Sequence, residues 1–503
     1  MTIPFKPDKI EAHQHELFPS NVFDLLPQDH DCFLYASLFE QLDTRAVEAT
    51  YSRKGQHAYS PRKLIGILIY GYSHGVFSSR QLEKRCKEDL GFMYIAGRAC
   101  PNFRVLSDFR KKHHAFFQAC FKQTVQLALE MKLASLGHVS LDGSHFKANS
   151  SKHKAMSYKH LKAQEQRLMV EVEQLIDQAA RCDAEEDAAY KERTGYELPE
   201  ALQHRQQRLE AIKAAKAALE AREAKLNPGQ PIEDKKQISF ADTDARIMGK
   251  GKAFHYAYNP QLSVDEQHQI IMGQHVSEQA TDRQEVKPAL EALEKTTGQR
   301  PEKLSMDNGY FSGDNLQALE EAKVDAYVSP GRDEHHQERA ALADSQRKLV
   351  KSDFEYNEEE DCFYCPNGQP LPLKRADKTG RRFYQGEAAS CAECPYQARC
   401  CESKKGAART LTTDGKEPQR NAMREKMAQP QAKEIYKRRK TIVEPVFGQI
   451  KNGGFRGFSL RGRIKVAGEF ALVCIAHNIK KIVNAARAGQ VRPEVGNWVA
   501  AKG

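Results

Sequence analysis

Residues 159–226 are polar and strongly helical, and they stand between one short apolar strand, HVSLDGS (138–144), and the next, FHYAYNPQLSVD (254–265). Any core built from these strands must therefore close around a helical insertion. Leu161, Leu168 and Leu175 mark one seam at heptad spacing. Leu202 and Leu209, then Ile212, Leu219 and Leu226, mark a second. The two seams predict an antiparallel helical hairpin, with Thr194, Gly195 and Pro199 in its turn and Asn227-Pro228-Gly229 at its end. The seams are too short for a long coiled coil, so the hairpin reads as a structural arm.

After the insertion, strand signals resume at 254–265 and QIIMGQHVS (269–277). A helix (284–296), the strand KLSMDNG (303–309), a helix (313–323) and the strand AYVS (326–329) follow. Antiparallel strands and then strand–helix alternation indicate a mixed α/β core. Residues 30–130 read as helical, with a break at Gly75 and Ser78-Ser79 as an N-cap, the look of a helix-turn-helix module. Residues 330–430 read as polar and irregular, and 466–486 as a closing helix in which His477 and Asn478 form a satisfied interior pair. No run of about 18 apolar residues offers a membrane span. The N-terminal residues lack the apolar stretch of a secretory signal.

The chain has 503 residues and a formal net charge of +10, which decides little until it is placed. Residues 431–465 hold ten Lys/Arg and two Glu, a local net of +8. Residues 59–112 hold eleven basic and four acidic residues, a local net of +7. Two such blocks, the second-named helical and the first carrying Gly453, Gly454, Phe455 and Phe458, point to surfaces that touch DNA phosphate.

Three carboxylates stand where a core would present them. Asp142 ends the first strand, Asp307 lies at the end of another, and Glu444 sits within the +8 segment. Such an acid repels phosphate unless a metal ion bridges them. Two-metal phosphoryl chemistry needs acids from separate elements converging on ions about 3.5–4 Å apart, and Mg²⁺ suits oxygen ligands. Pro445 implies either a kink or a helix that starts at Glu444.

With these residues in place, the chain resembles the bacterial insertion-sequence transposases of the DDE, ribonuclease-H-like superfamily over nearly its whole length. YSPRKLIGILIYGYSHGVFSSRQLEKRCKEDLGFMYIAG, continuing to PNFRVLSDFRKKH, is similar to the helical domain associated with binding terminal repeats. SLDGSHFKANSSKHKAMSY and KLSMDNGYFSGDNLQAL resemble the blocks of the first two catalytic residues, Asp142 and Asp307. YKRRKTIVEPVFGQIKNGGFRGFSLRG resembles the Tyr-Arg-Glu-Lys signature, which places a catalytic role on Glu444 and DNA contacts on Tyr436, Arg439 and Lys451. Arg439 and Glu444 are separated by four residues, one more than the signature has.

The resemblance implies an α/β, ribonuclease-H-like mixed-sheet core, Mg²⁺ (or Mn²⁺) held by Asp142, Asp307 and Glu444, and DNA cleavage followed by strand transfer without a covalent protein–DNA intermediate. The implied partners are terminal inverted repeats and target DNA, engaged by a homodimer on paired ends in the bacterial cytoplasm at the nucleoid. The expected division is 1–130, a helical DNA-binding domain; 131–158 and 233–335, the catalytic core; 159–232, the hairpin; 336–430, a Cys-rich insertion; and 431–503, C-terminal core helices. Competing readings are a nuclease of the same fold that does not join strands, and a transposase-derived DNA-binding protein without catalysis.

Six of the twelve cysteines lie at 362, 365, 391, 394, 400 and 401. Two C-x-x-C pairs are ligand-like spacings for a structural Zn²⁺, with Cys365, Cys391, Cys394 and Cys400 the favoured set and Cys362 the substitute. Asp242, Asp244 and Arg246 precede a core strand and read either as local capping or, by the resemblance, as neighbours of the active centre.

Overall fold

The computed structural model describes residues 21–51, 58–150, 155–189, 200–250, 253–330, 348–377, 380–401, 408–494 and 497–501. The chain forms two compact units, Met1–His113 with Ile482–Gly503, and His114–Lys481.

In the first unit α1 (Asp31–Glu40) and the short α2 (Arg45–Glu48) lead to α3 (Pro61–Ser73). The sequence of α3 is apolar nearly all round, so the helix needs neighbours on every side. Residues Leu64 to Ser73 are all buried, packed by α1, α4 (Ser79–Glu88), α5 (Leu90–Ala96) and α6 (Phe103–Lys112). The break at Gly75 takes the left-handed φ of 75° that glycine tolerates. Asp89 caps α5 by accepting from the Gly91 and Phe92 amides. Much of the basic charge on α4 is paired locally, Lys84 with Glu88, Arg85 with Asp89 and Lys87 with Glu83. The unit ends in a β-hairpin, Val491–Glu494 against Asn497–Ala500, that the sequence reading did not foresee. Its Trp498 is buried and donates from Nε1 to Ser37 Oγ at 3.2 Å. The described residues from Ile482 onward, expected with the core helices, thus group with this unit, whose N-terminal segment ends at His113.

The second unit opens with α7 (His114–Glu130) and is built on β1 (His138–Gly143), β2 (Phe146–Lys147), β3 (Ala155–Ser157), α8 (Tyr158–Ala189), α9 (Glu200–Leu226), β4 (Gln237–Ser239), β5 (Arg246–Lys250), β6 (Ala253–Asp265), β7 (Ile271–Ser277), α10 (Val286–Thr297), β8 (Lys303–Met306), α11 (Gly313–Glu321) and β9 (Asp325–Val328). β6 runs antiparallel between β1 and β7, while β8 lies parallel to β1 and β9 parallel to β8. The N-terminal part of β6 pairs with β2 and β5. The sheet is mixed, as the strand order in the sequence implied. Side chains alternate across a strand, so His138, Ser140 and Asp142 share one face of β1, and Ser305 leads towards Asp307 beside them. Ser140 and Ser305 hydroxyls meet at 2.6 Å, and His138 Nε2 lies 3.0 Å from Ser305 Oγ.

The helical hairpin buries Leu161, Leu168, Val172, Leu209, Ile212, Ala215 and Leu219 against Ile238 of β4. Leu226, the last member of the expected seam, is 61% exposed because it ends the helix beyond that contact. The expected turn residues Thr194, Gly195 and Pro199, and the side chains of Leu175 and Leu202, lie outside the described residues.

Much of the segment read as irregular is a five-stranded antiparallel meander: β10 (Glu355–Asn357), β11 (Cys362–Tyr364), β12 (Pro370–Ala376), β13 (Arg382–Gln385) and β14 (Thr410–Thr413). Leu349, Phe354, Phe363, Leu371, Tyr384, Cys400 and Leu411 form its core, with the short helices α12 (Ala388–Ala392) and α13 (Gln397–Cys400) alongside. The chain returns through α14 (Glu417–Ala428), α15 (Pro430–Lys437), α16 (Arg439–Ile442), α17 (Glu444–Asn452) and α18 (Arg463–Arg487). Pro445 sits in the first turn of α17, so the helix starts at Glu444. Phe455 and Phe458, which the sequence reading placed on a DNA-facing surface, are buried with Phe146 and Phe470. Helix α18 satisfies its interior polar pair: Asn478 bonds both the amide and the carbonyl of Ile271, and His477 Nε2 lies 2.9 Å from the Gln269 carbonyl. No described helix is long and apolar enough to cross a membrane.

Candidate active site

Parallel pairing of β1 with β8 brings Asp142 and Asp307 to the same end of the sheet. Asp142 is in the last turn of pleat in β1, and Asp307 caps a 3₁₀ turn by accepting from the Gly309 amide at 2.8 Å. Glu444 begins α17. All three face a single guanidinium. Arg439 lies 3.0 Å from Asp142 Oδ2, 3.9 Å from Asp307 Oδ2 and 2.8 Å from Glu444 Oε1.

Arg439 itself is buried, with 7% of its side chain exposed. Desolvation works against its charge, but Asp142 and Asp307 outweigh it and raise its pKa. Burial pushes the Asp142 carboxyl up to about 6, with Arg439 opposing the shift and Asp307 and Asp282 adding to it. Arg439 was expected to contact DNA; its burial against the carboxylates instead makes it their counter-charge. The extra residue before Glu444 has a structural counterpart. Arg439 and Glu444 stand on separate short helices broken at Val443, and the guanidinium turns inward between them.

The three acids line one open cleft of about 1670 Å³ together with Ser144, Asp282 and Lys451. Lys451 donates to Ser144 Oγ at 2.5 Å and lies 5.0 Å from the centre of the Phe146 ring. Tyr436 does not line this cleft and packs beside Tyr327, Met427 and Ala432. Asp242, Asp244 and Arg246 also lie outside it. Asp242 accepts from Tyr258 Oη (2.7 Å) and the Gly462 amide (3.1 Å), and Asp244 from the Arg463 amide (2.8 Å). These acids therefore tether the loop that follows α17. Arg246 pairs with Glu278 at 2.5 Å.

Sequence reasoning missed Asp282, Asn259 and Gln261, which carry no motif. A signal existed: Asn259 and Gln261 are amides two apart within a strand, both buried and hence in need of partners. Their partner is Asp282 Oδ1, at 2.8 and 2.7 Å. Burial raises the Asp282 carboxyl as well, against the two amide donors, with Asp307 adding.

Among the described residues no three His, Cys, Asp or Glu side chains are placed to hold a metal ion together. What Asp142, Asp307 and Glu444 share is a cation, and a set of oxygen donors around one positive centre is chemically suited to Mg²⁺ or Mn²⁺. Cys365, Cys391, Cys394, Cys400 and Cys401 line a second, small pocket of about 80 Å³, while Cys362 lies outside it. The zinc expectation rests on their spacing alone, since no three of these thiols are placed to hold a metal ion together.

Two family models match the chain. One, described as "Transposase DDE domain", covers residues 364–483 and so includes Arg439, Glu444 and Lys451. The other, "Transposase domain (DUF772)", covers residues 20–112. Together these matches indicate an insertion-sequence transposase of the DDE type. No curated protein and no solved structure matches it. Asp142 and Asp307 lie outside the matched residues, and their association with Glu444 comes from the geometry around Arg439.

Proposed function

We propose that this transposase binds the terminal inverted repeats of its insertion sequence and catalyses Mg²⁺-dependent cleavage and strand transfer, with Asp142, Asp307 and Glu444 as the catalytic carboxylates. The observation that carries the reading is the meeting of these three acids, from β1, the end of β8 and the start of α17, on one guanidinium. The sheet order β7-β6-β1-β8-β9, antiparallel and then parallel, supports a ribonuclease-H-like core.

Asp142, Asp307 and Glu444 would hold the divalent ions. When bound, such ions activate water or a 3′-hydroxyl as nucleophile and neutralise the leaving oxygen. Arg439 keeps the carboxylates facing one centre, and the crowding that raises Asp142 creates a demand for positive charge there. Lys451, at the cleft wall, would meet a phosphate near the scissile bond. In the helical unit Arg80 and Arg104 are exposed near the Phe103 ring, 4.7 and 5.9 Å from its centre, and would contact the repeats.

The test is incubation of the full chain with Mg²⁺ and DNA carrying the element's own flanking repeats. Cleavage at the ends and a joined product are expected. Cleavage without joining would reduce the protein to a nuclease, and neither product would remove the reading.

A further inference from the structure

Asp282 lies between β7 and α10 and is fixed from every side. Its carbonyl accepts from Asn315 Nδ2 at 2.9 Å and from the Glu285 amide at 3.2 Å. Its Oδ1 accepts from Asn259 Nδ2 and Gln261 Nε2, both on β6 and both buried. Gln261 in turn accepts, through Oε1, from the fully buried Tyr310 hydroxyl.

The clamped carboxylate is wedged between two glycines. A Cβ at Gly143 would lie 2.8 Å from Asp282 Oδ1 and 2.2 Å from Gln261 Nε2. A Cβ at Gly309 would lie 3.2 Å from Asp282 Oδ2. Gly143 directly follows Asp142, and the Gly309 amide is the donor to Asp307 Oδ1. The glycines of Asp-Gly and Asp-Asn-Gly, which look like ordinary turn residues, are thus the surfaces on which Asp282 rests.

We infer that Asp282 is a positioning residue: through the amide clamp of Asn259 and Gln261 it sets the spacing between the turns that carry Asp142 and Asp307. The inference rests on the function proposed above, in which those two carboxylates must act together. Asp282 acts through hydrogen bonds and shape, so an amide in its place keeps the acceptor oxygen and most of the effect. Removal of the side chain lets both turns relax.

The experiment compares Asp282→Ala, Asp282→Asn and Gly143→Ala in the full chain. The readouts are Mn²⁺ affinity by calorimetry without DNA, cleavage rate at saturating DNA, and DNA affinity. Asp282→Ala is expected to weaken Mn²⁺ binding by about tenfold or more, as loss of an orienting partner does. Its cleavage should fall about a hundredfold through misplaced carboxylates, with DNA affinity unchanged. Gly143→Ala disturbs the same contact from the other side and should reproduce both losses, which carries the test if Asp282→Ala does not fold. Asp282→Asn should stay within about tenfold of wild type in both. Wild-type Mn²⁺ affinity and cleavage in Asp282→Ala would overturn the inference. So would an Asp282→Asn protein as damaged as Asp282→Ala, since charge and not hydrogen bonding would then be what matters. A wild-type protein that binds Mn²⁺ but cuts no DNA would count against the proposed function, and the Mn²⁺ affinities of the variants would still decide the positioning role.

Discussion

At the scale of single residues, the site is organised by one buried cation. Arg439 satisfies Asp142, Asp307 and Glu444 at once, yet its charge is one against three. The uncompensated part falls on Asp142, whose carboxyl burial lifts from 3.8 to about 6. A carboxyl raised on folding binds its proton more tightly in the native state, so stability falls as pH rises between the two values and the full penalty applies above about 6. Asp142→Asn removes that penalty, although it also removes one partner of Arg439. Relative to wild type without metal, its stability should therefore be about 2 kcal/mol more favourable at pH 8 than at pH 4.5. Melting temperatures in chelator at the two pH values measure this, and a pH-independent difference would contradict it. The identity of the three acids was legible in the sequence because each sits in a recognisable block. The inward turn of Arg439 was not, because a basic residue in a basic segment looks the same whether it faces phosphate or carboxylate. Asp282 was invisible for a different reason: its partners lie more than twenty residues away on β6.

At the scale of elements, two close packings hold the helix that begins at Glu444 in place. The loop after α17 is tied by Glu469 of α18, which is buried and accepts from the amides of Ser459 (3.0 Å) and Leu460 (2.9 Å). Helix α18 in turn approaches α7 so nearly that a Cβ at Gly468 would lie 2.5 Å from His114 Cβ and 2.7 Å from His114 Cα. Backbone cannot swing aside as a side chain can, so Gly468→Ala should cost about 1–3 kcal/mol. Denaturant unfolding reads this directly, and an unchanged midpoint would mean the helices separate freely. Long elements were the legible ones. The core strands and the hairpin carry apolar runs or heptad leucines over many residues, which fixes their type. The meander at 355–413 escaped because four of its five strands are only three or four residues long, and the fifth, β12, exposes most of its side chains. Phe455 and Phe458 misled for the opposite reason, being core aromatics set in a basic sequence.

At the scale of the whole molecule, one compact unit is helical and matches a transposase domain, and the other is α/β and contains the three acids. Charge alone pointed to DNA, but part of it is spent within the fold, on the helix pairs of α4 and on Arg439. If the carboxylates serve chemistry and other surfaces serve binding, the two properties must separate under mutation. The most direct measurement is Mg²⁺-dependent cleavage of end-bearing DNA by Asp142→Ala, Asp307→Ala and Glu444→Ala, with DNA affinity measured on the same preparations. Cleavage is expected to fall by at least about a thousandfold in each variant, as on loss of a group that acts as part of a unit, while DNA affinity stays near wild type. Wild-type cleavage in any one of them would contradict its place in the catalytic set.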